Sequence, residues 1–152
     1  MPLPLFSGEY LSTIDDKNRI IIPAKVRQAA GPDGELGYYV TRGIDECISI
    51  QTARRFEETS SAAADDKSRQ TAAGRMLERL RLSQAEFGKC DRQGRFLLPA
   101  RLIESLHIGK NVIIAGVNDR VEVWDAERWK QALKEAEQQL QQGAEKLYGQ
   151  SD

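Results

Sequence analysis

Asp15-Asp-Lys-Asn-Arg-Ile-Ile-Ile-Pro-Ala-Lys-Val-Arg27 recurs in pattern as Asp91-Arg-Gln-Gly-Arg-Phe-Leu-Leu-Pro-Ala-Arg-Leu-Ile103. Both segments read Asp, three residues, Arg, three apolar residues, Pro-Ala and a basic residue, at an offset of 76 positions. A second block follows at an offset of 73, where Arg42-Gly-Ile-Asp-Glu-Cys-Ile-Ser-Ile50 matches Ala115-Gly-Val-Asn-Asp-Arg-Val-Glu-Val123. Arg55-Phe56 then matches Arg128-Trp129. The offset drops because the loop at Gly31-Pro-Asp-Gly34 is longer than its counterpart near Gly109. Two blocks in the same order make the chain two copies of one unit, and such periodicity decides the fold before any local feature does.

Each unit has a readable plan. Residues 9–14 read as a strand, and the tight turn at Asp16-Lys-Asn18 follows. Asn18 tolerates left-handed backbone, as does Gly94 in the second copy. Residues 19–22 and 95–98 read as short apolar strands. Pro23 and Pro99 stand where a proline opens a helix. Hairpins are expected around Gly43-Ile-Asp-Glu46 and Gly116-Val-Asn-Asp119, flanked by β-rich runs. Thr52 and Asp125 are natural N-caps for the helix that ends each unit. The last helix is expected over 126–147, with Trp129, Leu133, Ala136, Leu140 and Leu147 on one stripe. Met76, Leu77, Leu80 and Phe87 stripe the connector in the same way, and both stripes read as core or subunit interface.

One unit has roughly 50 residues, too few to bury a sufficient core alone. Two units related by a pseudo-twofold can interleave their hairpins and remove free edges. The expectation is an α+β protein with a mainly β core, a small closed barrel of swapped repeats with helices outside. Its divisions would be a first repeat at 1–56, a helical connector at 57–85, a second repeat at 86–129 and a C-terminal helix at 130–152.

Composition excludes several classes. The chain has 152 residues, 40% hydrophobic and 30% charged, an ordinary globular mix. No apolar run reaches the roughly 18 residues of a membrane span, and the N-terminus lacks a secretory signal pattern. Cys47 and Cys90 are too few for a disulfide framework or zinc site, which suggests a reducing cytoplasm. Each is expected to face the core as a small apolar residue. The lone His107 is expected to pack near a helix end. Neither metal nor organic cofactor is expected.

The net charge of -1 conceals a strong asymmetry. Residues 67–101 carry nine basic and three acidic side chains, against three and eight in 28–66 and four and seven in 121–152. A neutral chain can still present a basic face. Fourteen of the 22 basic residues are Arg, the side chain suited to bidentate phosphate and guanine contacts. Arg75, Arg79 and Arg81 also fit the plainer reading of a solvated helix side.

The paired Asp-x-x-x-Arg signature is the candidate site. An Asp at the end of one strand can reach an Arg at the start of the next, or the amides of the turn between them. A carboxylate that holds a guanidinium pre-organises it as a phosphate or base-edge reader. The alternative is that Asp15 and Arg19 only brace the turn. Lys17, in the first turn, strengthens the binding reading, while Lys25 and Arg101 suit either. An enzymatic alternative would use Asp15 and Asp91 as a carboxylate pair on a barrel. Neither lies in an Asp-Thr/Ser-Gly context, and no phosphate loop or metal cluster accompanies them. A third alternative is an assembly or adaptor protein that uses the acidic, striped C-terminal helix.

The sequence resembles the MraZ family of bacterial regulators linked to the division and cell-wall gene cluster. The resemblance rests on Phe6-Ser-Gly8, 15–23, 91–99, and Val121-Glu-Val-Trp-Asp125 with Trp129, and covers nearly the whole chain. It implies a DNA-binding transcriptional regulator with an AbrB-like swapped-hairpin fold. It also implies a ring-shaped homo-oligomer, an octamer or similar, on direct repeats of double-stranded DNA near its own promoter, in the cytoplasm and nucleoid. The residues it carries over by position are Asp15, Arg19, Asp91 and Arg95, and Lys17, Lys25, Arg92 and Arg101 complete the candidate DNA-binding set. Asn18 departs from the glycine usual there and is expected to alter the turn, and four residues extra to the family pattern stand ahead of Phe6.

Overall fold

The computed structural model describes residues 4–63 and 67–148. The chain is a mixed α+β protein built on one antiparallel six-stranded sheet, a two-stranded ribbon and, among the described residues, five α-helices. In chain order the strands of the first copy are β1 (Glu9–Thr13), β2 (Arg19–Ile21), β3 (Tyr38–Arg42) and β4 (Ile48–Thr52). Those of the second are β5 (Glu86–Gly88), β6 (Arg95–Leu97), β7 (Asn111–Val117) and β8 (Arg120–Asp125). The sheet order is β1-β7-β8-β4-β3-β5, with β2 and β6 paired apart from it.

That order pairs the copies with each other. β1 lies against β7, with Tyr10 opposite Ile114. β5 lies against β3, with Phe87 opposite Tyr39. The two hairpins meet at the centre, where Ile48 faces Val123 and Ile50 faces Val121. The first strand of each copy therefore pairs with the hairpin of the other copy, and an isolated copy would leave that strand as an unpaired edge.

The expected closed barrel does not form. β1 and β5 stand at opposite ends of an open sheet, and no pairing joins them among the described residues. The closing strands would be β2 and β6, but these are three residues long and pair with each other. Ile22 N–H donates to Gly94 C=O and Leu98 N–H to Asn18 C=O, each at 2.8 Å, which carries the ribbon into the opposite turn. Pro23 and Pro99 stop it there, since proline has no N–H for a further rung.

The helices follow the local signals. Proline opens α1 (Ala24–Leu36) and α4 (Ala100–Ser105), where the lost N–H is one the helix would not have used. Gly31, at φ 57 and ψ -141, breaks α1 just before Pro32. α2 (Ala53–Ala63) starts with Arg55 N–H on Thr52 Oγ1 at 3.3 Å. α5 (Ala126–Tyr148) starts with Arg128 N–H on Asp125 Oδ2 at 3.3 Å. Between them α3 (Ala72–Ser83) is capped by Thr71, whose hydroxyl accepts Gly74 N–H at 2.9 Å.

The core sits between the sheet and the ribbon. Ile20, Ile22, Phe96, Leu98 and Leu102 pack with Val40, Ile48, Ile114 and Val123, all almost fully buried. Phe96 meets Tyr38 edge-on, with ring centroids 5.8 Å apart. Each such side chain contributes about 1.5–3 kcal/mol as an upper figure.

The second hairpin turns within the expected span, between β7 and β8 at Asn118, which has φ 62, while Gly116 lies in β7. A side chain at Gly116 would collide with the Ser7 backbone, so this glycine admits the N-terminal segment, whose Phe6 pairs with Asn118. His107 is exposed rather than packed, in left-handed backbone at φ 52 after α4. Met76, Leu77, Leu80 and Phe87 are exposed, as are Leu133 and Leu140, so neither stripe belongs to the core of a single chain. The side chain of Leu147 lies outside the described residues. Cys47 is fully buried and Cys90 half-buried.

Candidate functional site

The two Asp-x-x-x-Arg turns adopt the same geometry. Asp15 Oδ1 accepts Lys17 N–H at 2.9 Å and Arg19 N–H at 2.8 Å, while Oδ2 accepts Arg19 Nε–H at 2.8 Å. Asp91 Oδ1 accepts Gln93 N–H at 2.9 Å and Arg95 N–H at 2.8 Å, while Oδ2 accepts Arg95 Nε–H at 2.7 Å. The backbone closes each loop identically, with Asp15 N–H on Arg19 C=O and Asp91 N–H on Arg95 C=O, both at 2.9 Å.

The residue before each Arg makes the turn possible. Asn18 has φ 63 and Gly94 φ 81, in the left-handed region that Asn and Gly enter most cheaply. Asn18 therefore reproduces the glycine turn and does not alter it. The turns differ in what lies over them. The guanidinium of Arg27 crosses the second turn and would meet a side chain at Gly94 at 3.0 Å. Its Nε–H is fixed to Ile22 C=O at 3.1 Å. The residue at Arg27's place in the second copy is Ile103.

Each carboxylate is fully committed. The backbone N–H of Arg19, aided by the Arg19 side chain and Lys17 N–H, holds Asp15 below the ordinary carboxyl value of 3.8. The backbone N–H of Arg95, aided by its side chain and Gln93 N–H, does the same for Asp91. Both groups are thus ionised, each against its own Arg. A proton-sharing acid pair needs the reverse arrangement, two like charges that raise one pKa. The carboxylate-pair reading of Asp15 and Asp91 is therefore corrected.

The ion pairs run through Nε, and among the described residues the Nη groups of Arg19 and Arg95 have no hydrogen-bond partner. These groups are the fork that reaches phosphate or guanine. Register places Arg19 opposite Leu97 and Arg95 opposite Ile21. All four therefore share one face of the ribbon, and the other face carries buried Ile20 and Phe96.

The remaining candidates surround this face unevenly. Lys17, Lys25 and Arg92 are exposed on the turns and the start of α1. Arg101 is exposed but lies 3.8 Å from Glu86. Arg27 was missed in the sequence because its role depends on an overhang of the other copy's turn, which no local pattern encodes. Ile21 and Leu97 were read only as strand residues. Among the described residues no group of His, Cys, Asp and Glu could hold a metal ion, and no helix is long and apolar enough to cross a membrane.

Comparison with known proteins places the chain in a class whose named members are transcriptional regulators, not enzymes. The family described as "MraZ protein, putative antitoxin-like" matches residues 5–80 and 82–150. A protein of Moorella thermoacetica is 36% identical over 143 residues, spanning 94% of this chain and 96% of that one. One of Symbiobacterium thermophilum is 39% identical over 140 residues, 92% and 98% of the two chains. One of Limosilactobacillus fermentum is 38% identical over 125 residues, 82% and 84% of the two. All three are named transcriptional regulator MraZ. The chain belongs to the MraZ family.

Proposed function

We propose that the protein is a sequence-specific DNA-binding transcriptional regulator that uses Arg19 and Arg95 on the β2–β6 ribbon. One observation carries this reading. Two equivalent guanidinium groups are held by Asp15 and Asp91 through Nε, and their Nη groups face outward from one rigid ribbon. Lys17, Lys25, Arg92 and Arg101 would supply phosphate contacts, which set affinity and its salt dependence. The major groove is wide enough for a two-stranded ribbon.

The assembly is a ring-shaped homo-oligomer in which copies repeat this contact along direct repeats. Exposed Met76, Leu77, Leu80 and Phe87 support it, since such a face ordinarily meets a second surface. Simultaneous engagement of several weak sites would provide avidity. Repeats about one helical turn, ~10 bp, apart would present equivalent groove faces. The target would be the division and cell-wall cluster, including the protein's own promoter, and the protein would act in the cytoplasm at the nucleoid. The repeats of this reading are 1–56 and 86–129, exchanged as swapped hairpins, with 57–85 as connector and 130–152 continuing the last helix.

A footprint on the DNA upstream of the protein's own coding region tests this. Protection of spaced repeats, lost in Arg19→Ala and Arg95→Ala, is expected. Uniform, unspaced protection would remove sequence specificity. Light scattering that returns a 17.1 kDa particle at micromolar concentration would remove the ring.

A further inference from the structure

The outer face of the β2–β6 ribbon has an unusual composition. A ribbon with one buried face ordinarily presents polar residues on the other. Here the solvent face carries Ile21, 56% exposed, and Leu97, 62% exposed, between the two Arg. Arg19 and Arg95 occupy one diagonal of this square and Ile21 and Leu97 the other. Isolated surface aliphatics need no explanation, but these two adjoin, and each stands directly across from a site Arg.

We infer that Ile21 and Leu97 are specificity-determining residues, which make apolar contacts to thymine C5-methyl groups in the major groove while Arg19 and Arg95 take guanine edges or phosphates. This rests on the DNA-binding reading above. Three observations favour DNA as the occupant over a second copy of the chain. The patch lies between two guanidinium groups whose Nη donors have no hydrogen-bond partner among the described residues. Exposed Lys17, Lys25 and Arg92 stand around it, so a like face would meet it with like charge. The apolar residues also match the spacing of base pairs. Ile21 and Leu97 are diagonal neighbours across the ribbon, roughly 7–8 Å apart, close to two base-pair rises at about 3.4 Å each. In the major groove the thymine methyl is the apolar feature of the base-edge code, and aliphatic side chains are its partners.

The experiment compares the full chain on two duplexes of the footprinted sequence, one with thymidine and one with deoxyuridine throughout. Removal of methyl groups that are contacted should weaken wild-type binding about fourfold for each. Ile21→Ala and Leu97→Ala should each weaken binding to the thymidine duplex about tenfold, with an unchanged salt slope. They should also bind the two duplexes more nearly alike. Equal wild-type affinity for both duplexes would overturn the proposal even if a variant misfolds. So would variants with wild-type affinity, or variants that change the sedimenting species instead, since a second copy would then cover the face. If the wild type binds no duplex of its promoter at all, the DNA-binding reading falls and takes this inference with it. Equal affinity for the two duplexes leaves that reading intact.

Discussion

The two Asp-x-x-x-Arg turns share their closing backbone hydrogen bonds and all three carboxylate contacts, yet they reach that geometry from different sequences. The first uses Asp16, Lys17 and Asn18, the second Arg92, Gln93 and Gly94. The first is the better shielded, with Arg19 at 25% exposure against 36% for Arg95. The second lies under the guanidinium of Arg27, while the first has the aliphatic Ile103 at the matching place. What is common is what holds the Arg. What differs is the charge around it and the room above the turn. The pair teaches that the turn needs an Asp, a residue able to take positive φ and an Arg, and leaves the other positions open.

The largest expected effect is on binding. Arg19→Ala and Arg95→Ala should each cost about 1–3 kcal/mol of specific DNA affinity, measured by mobility shift against the promoter repeats. Similar losses would extend the equivalence of the turns from geometry to function. A silent Arg95→Ala would break it and leave the second turn a structural brace.

Next is the backbone. Gly94→Ala must place a side chain at φ 81 and against Arg27, and should lower stability by about 1–2 kcal/mol in urea unfolding. The gap between this and an Asn18→Ala change, which meets the φ cost without Arg27, measures the overhang. Equal losses would show that Arg27 yields freely.

The acid limb is smaller and should be symmetric. Because the folded carboxyls of Asp15 and Asp91 lie below 3.8, the unfolded chain binds protons first as pH falls. Their contribution is complete above that value and lost as pH drops through the lower folded values. Asp15→Asn and Asp91→Asn should each flatten the stability profile below about pH 4, followed by thermal melts across pH. An effect from only one of them would break the comparison. Smallest is Asn18→Gly, within about 0.5 kcal/mol of wild type, since both residues suit the turn.

Much of this was readable in the sequence because it is local. The turns, the proline starts at Pro23 and Pro99, and the caps at Thr52 and Asp125 depend on neighbours a few residues away. The spacing of Asp and Arg foretold the hydrogen-bonded turns for the same reason. The open sheet was not readable, because closure depends on whether β2 and β6 pair with the sheet or with each other, and their apolar pattern suits both. The role of Gly116 was not readable, because its missing side chain serves a close approach of Ser7 and not the turn itself. Arg27 and the Ile21–Leu97 patch depend on register between segments far apart in sequence.

The pairing of Tyr10 with Ile114 also sets a clock for synthesis. A ribosome adds roughly 5–20 residues per second. The first strand emerges early, and its partner follows about 100 residues later, some 5–20 s afterwards at that pace. For that interval the nascent chain holds an orphan strand, and on a polysome neighbouring chains hold the same one. A β7 from the next chain offers the same backbone partners, but the chain's own β7 arrives tethered, at the higher effective concentration. Slower translation lengthens, and a crowded polysome intensifies, the exposure of that strand to other chains.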